Sequence, residues 1–206
     1  NDIDALVLAI FSYLNLPGIV SDDGSTITVE AAAKKYFSAD YYRNDHSYYQ
    51  KLFKLMARAE RFKDAKLSYY VNTLTDQTQF SAIKIQLSNG INFISFRGTD
   101  DSLVGWKEDF NMAFLDPVPG QGFAAKYMNM VTGRLRRKFY TGGHSKGGNF
   151  AVYAALNCTK EVQERILCVY NHDGPGFRPE VLARFNYQGL EDKVVRILPH
   201  SSLVGM

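Results

Sequence analysis

The stretch Phe139-Tyr140-Thr141-Gly142-Gly143-His144-Ser145-Lys146-Gly147-Gly148 decides the fold of this chain. An apolar, strand-forming run precedes the glycines, and the residues that follow them favour a helix. A serine on a sharp turn from strand to helix needs small neighbours two positions before and two positions after it, which Gly143 and Gly147 supply. The N–H groups of the new helix would point toward its hydroxyl. The stretch therefore predicts a nucleophile elbow with Ser145 as the nucleophile.

A glycine-rich loop that only turns a corner, or that cradles a phosphate, is the alternative for the same residues. A phosphate loop ends in Gly-Lys-Ser or Gly-Lys-Thr, whereas here Ser145 precedes Lys146. The strand before the turn and the helix after it favour the elbow.

The hydrophobic pattern predicts helices first, then antiparallel strands, then alternating strands and helices. Helices are predicted from Asp2 or Asp4 to about residue 15 and at 29–37, 47–61, 103–112, 122–134, 147–158 and 179–185. Strands are predicted at 67–74, 79–87, 91–96, 138–142, 166–171 and 193–198, with a hairpin turn at 88–90. This order predicts an α/β fold with a mixed, mostly parallel sheet flanked by helices. We expect one domain over 1–206, with an N-terminal helical part at 1–62 and a catalytic core at 66–206.

The composition is that of a globular protein, with 46% hydrophobic and 22% charged residues among 206 and a net charge of +3. It excludes a disordered chain, and two cysteines are too few for a disulfide framework. No apolar run reaches the ~18–20 residues of a membrane span, and acidic residues precede the apolar stretch from Ala5 to Leu14, which predicts a buried helix and no signal peptide. The basic cluster at 134–138 predicts a solvated helix end, with a phosphate or anionic-lipid contact as the alternative. We expect a cytoplasmic protein with no metal, no organic cofactor and no nucleic-acid partner.

A second segment, Ile94-Ser95-Phe96-Arg97-Gly98-Thr99, closes a strand ahead of the elbow. A glycine and a hydroxyl residue at the mouth of a central strand suit an oxyanion hole. Its two backbone N–H groups would come from Thr99 and from Lys146, the residue after the nucleophile. A strand-ending turn with Arg97 in a structural ion pair is the alternative.

Together, Phe96-Arg97-Gly98-Thr99, the following Trp106 and Asp109, and residues 143–148 resemble the class-three lipases, the fungal triacylglycerol lipase type with the α/β-hydrolase fold. The resemblance implies that Thr99 is the oxyanion residue, that Ser145 is the nucleophile and that residues 100–120 form a lid. Those lipases place Leu after the serine. Here Lys146 stands there, so the backbone contact is retained but a purely apolar mouth is not expected.

A closer resemblance, covering nearly the whole chain, is to a bacterial family of lipase-like hydrolases. The shared stretches are a helix of the Asp4–Ala9 type, Gly-His-Ser-Lys-Gly-Gly-Asn at 143–149, Asn-His-Asp-Gly-Pro-Gly-Phe at 171–177 and Ser-Leu-Val-Gly-Met at 202–206. This resemblance implies the fold and leaves the substrate open.

Asp173 is the candidate acid of a catalytic triad. It follows a strand and opens Asp-Gly-Pro-Gly-Phe, which is similar to the Asp-Pro-Ala-Gly-Pro stretch of vertebrate-type lipases, where that Asp is the acid. A triad acid orients the imidazole and stabilises the imidazolium. The alternative is a turn Asp that bonds its own backbone.

The general base is the open question among four histidines. His46 is expected at the surface, while His144 and His172 adjoin Ser145 and Asp173, so their side chains should point away. His200 remains, and the order Ser145, Asp173, His200 matches the hydrolase order.

His200 nevertheless follows a strand that should be second to last in the sheet, where class-three lipases place the acid, at a position matched here by Ser202. A base beyond Met206 is therefore the alternative. The expected activity is hydrolysis of a small-molecule or lipid carboxylic ester through an acyl-enzyme. A thioesterase, a peptidase and a non-catalytic hydrolase-like binding module are the other possibilities.

Overall fold

The computed structural model describes residues 1–38, 48–75, 78–99, 117–133, 137–183 and 190–202. Its helices are α1 (Asp2–Phe11), α2 (Val29–Ser38), α3 (Tyr48–Met56), α4 (Pro119–Thr132), α5 (Lys146–Asn157), α6 (Lys160–Gln163) and α7 (Pro179–Leu182), with a 3-10 turn at Glu191–Lys193. Its strands are β1 (Ile27–Thr28), β2 (Lys66–Leu74), β3 (Gln79–Gln86), β4 (Asn92–Phe96), β5 (Phe139–His144), β6 (Ile166–His172) and β7 (Val194–Ile197).

The seven strands form one sheet in chain order. The three pairings from β1 to β4 are antiparallel, and the three from β4 to β7 are parallel. Because the carboxyl ends of parallel strands meet at one edge, the residues that follow β4, β5, β6 and β7 lie side by side. We call this side the carboxyl edge of the sheet.

Helices cover both faces of the sheet, each over its own apolar core. On one face α1, α2 and α3 pack on the strands, with Phe11 and Phe53 in the same cluster as Phe93 of β4. On the other face α4 and α5 pack on the strands, with Phe150 in the same cluster as Phe96. The predicted mixed sheet flanked by helices is confirmed.

The first helix differs from its prediction at both ends. Its N-cap is Asn1, whose side chain accepts the N–H of Asp4, so neither Asp2 nor Asp4 caps it. It ends at Phe11 and not at Asn15, because the next N–H groups bond three residues back and tighten the last turn. Ser12 supports that ending, since its hydroxyl donates to Ala9 O at 2.6 Å.

The other predicted elements lie close to their observed bounds, apart from α3 and α7, which end early. The hairpin turn is confirmed: Gly90 has φ 80°, and Asn89 Oδ1 accepts the N–H of Ile91. The two-residue β1 and the four-residue α6 were missed because they are too short to show a period. The predicted helix at 103–112, most of the lid candidate, Trp106, Asp109 and His46 lie outside the described residues. In the described ranges, no helix is long and apolar enough to cross a membrane.

Candidate active site

Ser145 stands alone between the last residue of β5 and the first residue of α5, with φ 54° and ψ −133°. A non-glycine residue in this region costs about 1–3 kcal/mol and persists only where its surroundings hold it. Three backbone hydrogen bonds do so: Ser145 N–H donates to His172 O at 2.8 Å, and Ser145 O accepts the N–H groups of Gly148 at 2.8 Å and Asn149 at 3.4 Å. The expected sharp turn is therefore present at the carboxyl edge, and it carries backbone strain.

The two glycines around Ser145 are required by close approach of backbones. A Cβ on Gly143 would lie 2.3 Å from the carbonyl carbon of Gly147 and 2.6 Å from Phe96 O. A Cβ on Gly147 would lie 2.2 Å from the same Phe96 O. The end of β4 is thus pressed against the serine turn, and a Cβ on Gly98 would lie 2.5 Å from His144 O, directly before Ser145.

The two candidate oxyanion donors flank this contact. Thr99 is half-buried just past β4, and Lys146 is the first residue of α5, where backbone N–H groups have no acceptor within the helix. The side chain of Lys146 is buried, and its Nζ lies 5.7 Å from the centroid of the Phe150 ring. The charge therefore faces the protein interior rather than the solvent, which weakens the sequence-based argument against an apolar mouth.

Asp173 follows β6 directly, with φ 55°, and its N–H donates to Ile197 O at 2.9 Å. Its carboxylate accepts a short hydrogen bond from the hydroxyl of Ser202. The turn-forming bond belongs to Asn171, whose Oδ1 accepts the N–H of Gly174 at 2.8 Å. The carboxylate of Asp173 is thus directed toward the segment after β7, and Asn171 satisfies the turn.

His200 lies two residues before Ser202 on this segment and is exposed. No hydrogen bond joins it to Asp173 or Ser145 in the described part of the chain; the carboxylate is taken by Ser202, the position that matches the class-three acid. Whether His200 acts as the base stays a prediction.

His144 and His172 pair across β5 and β6, and His144 Nδ1 lies 3.0 Å from the hydroxyl of Tyr13. That both side chains point away from the serine hydroxyl stays a prediction. Burial lowers the pKa of His144, an effect that the carboxylate of Asp173 partly offsets. Burial, together with the neighbouring His144, lowers the pKa of His172 to about 4. Within the described residues neither ring nitrogen of His172 has a hydrogen-bond partner. Both rings are therefore neutral at pH 7.

Sequence reasoning missed a set of buried amides that hold the loop after β6 against α5. Asn149 Nδ2 donates to Pro175 O at 3.0 Å, and Gln121 Nε2 donates to Asn149 Oδ1 at 2.9 Å. A Cβ on Gly148 would lie 2.3 Å from Asn171 Oδ1. The available signal was that Asn149 and Asn171 lie inside the quoted motifs, at positions where a buried strand or helix favours apolar residues.

Comparison with known proteins adds three findings. A family model described as Mbeg1-like matches residues 56–206. Among solved structures, one described as the crystal structure of M37 lipase has a TM-score of 0.52 and 18% identity, over 96% of this chain and 67% of that chain. The search of curated proteins finds no match. The structural likeness confirms the predicted fold class, an α/β arrangement shared with a lipase, and at this identity it carries the fold alone.

Proposed function

This chain belongs to the Mbeg1-like family, and we propose that it is a serine hydrolase that cleaves carboxylic esters through an acyl-enzyme on Ser145. The observation that carries the proposal is the backbone of Ser145, held at φ 54° at the N-terminus of a buried helix. A turn whose only task is to join β5 to α5 would favour glycine there, since glycine adopts positive φ without strain. Strain kept on a nucleophilic side chain is typical of a functional position.

In the proposed reaction Ser145 Oγ attacks the acyl carbon of the ester while a general base takes its proton. The backbone N–H groups of Thr99 and Lys146 stabilise the charge that develops on the carbonyl oxygen. Return of the proton to the leaving oxygen breaks the ester C–O bond and releases the alcohol, leaving an acyl group on Ser145. Water then attacks the acyl-enzyme by the same steps in reverse and releases the acid.

Asp173 is the proposed acid of this mechanism because its carboxylate lies at the carboxyl edge, one strand beyond the serine. The hydroxyl of Ser202 supports it by donating to Oδ1, which leaves its other oxygen for a base. His200 is the proposed base among the described residues, and it must turn inward from its exposed position to reach Asp173. A base from outside the described residues is the alternative.

Labelling with a fluorophosphonate probe tests the proposal, because the probe reacts with an activated serine hydroxyl. We expect the wild-type protein and an exposed-site control, Ser201→Ala, to be labelled equally, and Ser145→Ala to remain unlabelled. Labelling of Ser145→Ala at the wild-type rate would refute the nucleophile, and no labelling of any folded variant would favour a non-catalytic binding module.

Substitutions at the acid and the base separate their roles. Asp173→Asn should slow labelling of Ser145 by up to about 10⁴-fold, the loss in kcat typical of replacing a triad acid by Asn. His200→Ala should slow it at least as much if His200 is the base, and an unchanged rate would assign the base elsewhere. Nitrophenyl esters of increasing acyl length, an acyl thioester and a peptide amide would then identify the substrate class.

A further inference from the structure

The hydroxyl of Tyr13, in the turn after α1, lies between two segments of the carboxyl edge. Its Oη is 3.0 Å from His144 Nδ1 and 3.4 Å from His144 O, the carbonyl of the peptide bond that leads into Ser145. On its other side is Gly98, where a Cβ would lie only 2.1 Å from Tyr13 Oη. The hydroxyl therefore occupies the space that a side chain at position 98 would take.

These two segments carry the two proposed oxyanion donors. Thr99 follows Gly98 directly, and Lys146 is two residues beyond His144. A Cβ on Gly98 would also lie 2.5 Å from His144 O, so the two backbones already touch beside the hydroxyl. A shift of Tyr13 would consequently change the spacing between the two donors.

Two contacts fix Tyr13 itself. Its ring stacks on Tyr49 of α3 with centroids 4.9 Å apart and planes 10° apart, and its N–H donates to Ile10 O at 3.1 Å. The hydroxyl has one hydrogen, so it either donates to Nδ1 or donates to His144 O while accepting Nδ1–H. In both patterns the same oxygen holds the histidine whose carbonyl precedes Ser145.

We infer that Tyr13 is a positioning residue that sets the distance between the Thr99 and Lys146 N–H groups through His144 and Gly98. The inference rests on the proposed function, and it makes the N-terminal helices part of the catalytic machinery. Helices α1 and α2 precede residue 56, where the match to the family model begins, and α3 ends at that residue. The donors must meet an oxygen that exists only in the transition state, so their spacing acts on kcat and leaves substrate binding unchanged.

Tyr13→Phe tests the inference, because it removes the hydroxyl and keeps the stacked ring. We expect kcat for a nitrophenyl ester and the rate of probe labelling to fall about 10- to 100-fold, with KM changed less than about twofold. Tyr70→Phe is the matched control, since it also removes one tyrosine hydroxyl, which donates at 3.3 Å to Leu14 O in the same loop as Tyr13. That variant should keep the wild-type kcat. An unchanged Tyr13→Phe, or an equal loss in Tyr70→Phe, would overturn the inference.

A double-mutant cycle distinguishes action through His144 from a general destabilisation of the fold. His144→Asn shortens the side chain that meets Tyr13, and it should lower kcat by itself. If Tyr13 acts through His144, the double variant should be no slower than the slower single variant. If the fold-losses in kcat of the two single variants multiply in the double variant, the inference is overturned. If Tyr13→Phe does not fold, the kcat of His144→Asn still tests the inference. A wild-type protein that the probe fails to label refutes the proposed function instead, so the two failures are distinguishable.

Discussion

Replacing Ser145 by glycine should make the protein more stable while abolishing its reactivity. The φ of 54° costs a serine about 1–3 kcal/mol and costs glycine nothing. Glycine also lowers the free energy of unfolding by about 0.5–1 kcal/mol, because it increases the conformational entropy of the unfolded chain. The side chain of Ser145 makes no capping hydrogen bond to α5, so its removal costs no cap. The net expectation is a gain of about 0.5–2 kcal/mol in the free energy of unfolding.

Two variants control for the other effects of the substitution. Ser145→Ala loses the hydroxyl but keeps the strained backbone, so its free energy of unfolding should stay within about 0.5 kcal/mol of the wild-type value. Thr159→Gly changes another N-cap that also lacks a capping hydrogen bond, at an unstrained φ of −62°. There no backbone strain is relieved, and glycine should destabilise by at least about 0.5–1 kcal/mol, because it makes the unfolded chain more flexible and also removes the hydroxyl that hydrogen-bonds Glu161.

The assay is unfolding in urea, with thermal unfolding alongside it. For a domain of this size the expected gain corresponds to a rise of about 1–8 °C in Tm. Neither Ser145 variant should react with the fluorophosphonate probe. A Ser145→Gly protein no more stable than the wild type, with Thr159→Gly destabilised as expected, would show that the turn stores no strain and would remove the observation on which the proposed function depends.

Three further outcomes follow from the same geometry. Gly147→Ala should lower the free energy of unfolding in urea by at least about 2 kcal/mol, because its methyl group would meet Phe96 O. In the control Gly122→Ala, in α4, the methyl group meets nothing within 4 Å, so this variant should be as stable as the wild type or more stable. In the folded protein burial lowers the pKa of His172 to about 4, whereas in the unfolded chain the same side chain is protonated near pH 6.5. Lowering the pH from 7.5 to 5 therefore favours the unfolded state. Over this range the free energy of unfolding should fall by about 1–2 kcal/mol more in the wild type than in His172→Phe. Burial raises the pKa of the Cys158 thiol to about 11, so iodoacetamide at pH 8 should alkylate it slowly in the native protein and rapidly in urea; a fast native reaction would contradict its burial.

The elements and the serine turn could be predicted because their signals are local. Short sequence patterns of a few residues determine both turns: the glycines around Ser145 and the stretch Ser88-Asn89-Gly90. The early end of α1 could not be predicted from its apolar pattern, which continues through Leu14 and Leu16 because both are buried. The hydrophobic pattern shows which residues are buried, but a buried residue can lie in a loop as well as in a helix, so the pattern does not show where the helix ends.

The contacts that complete the candidate site are long-range, and the sequence held little sign of them. Tyr13 meets His144 across 131 positions, and Ser202 meets Asp173 across 29. Sequence order favoured His200 as the partner of Asp173, yet the carboxylate contacts the residue two positions later. Which of several neighbouring polar residues faces inward depends on how the chain leaves β7, and no residue pattern fixes that.

The order of the strands also has a consequence for synthesis on the ribosome. Each strand of the sheet pairs with the one made just before it, so the sheet can grow as the chain emerges. Helix α1 is the exception, since it contacts β4, β5 and β6. Helix α1 ends at Phe11, and β5 begins at residue 139. At translation rates of roughly 5–20 residues per second, β5 is therefore made roughly 6–25 s after α1. During that interval the face of α1 that packs on β5 and β6 has not yet met its partners, so its apolar side chains stay exposed on the nascent chain.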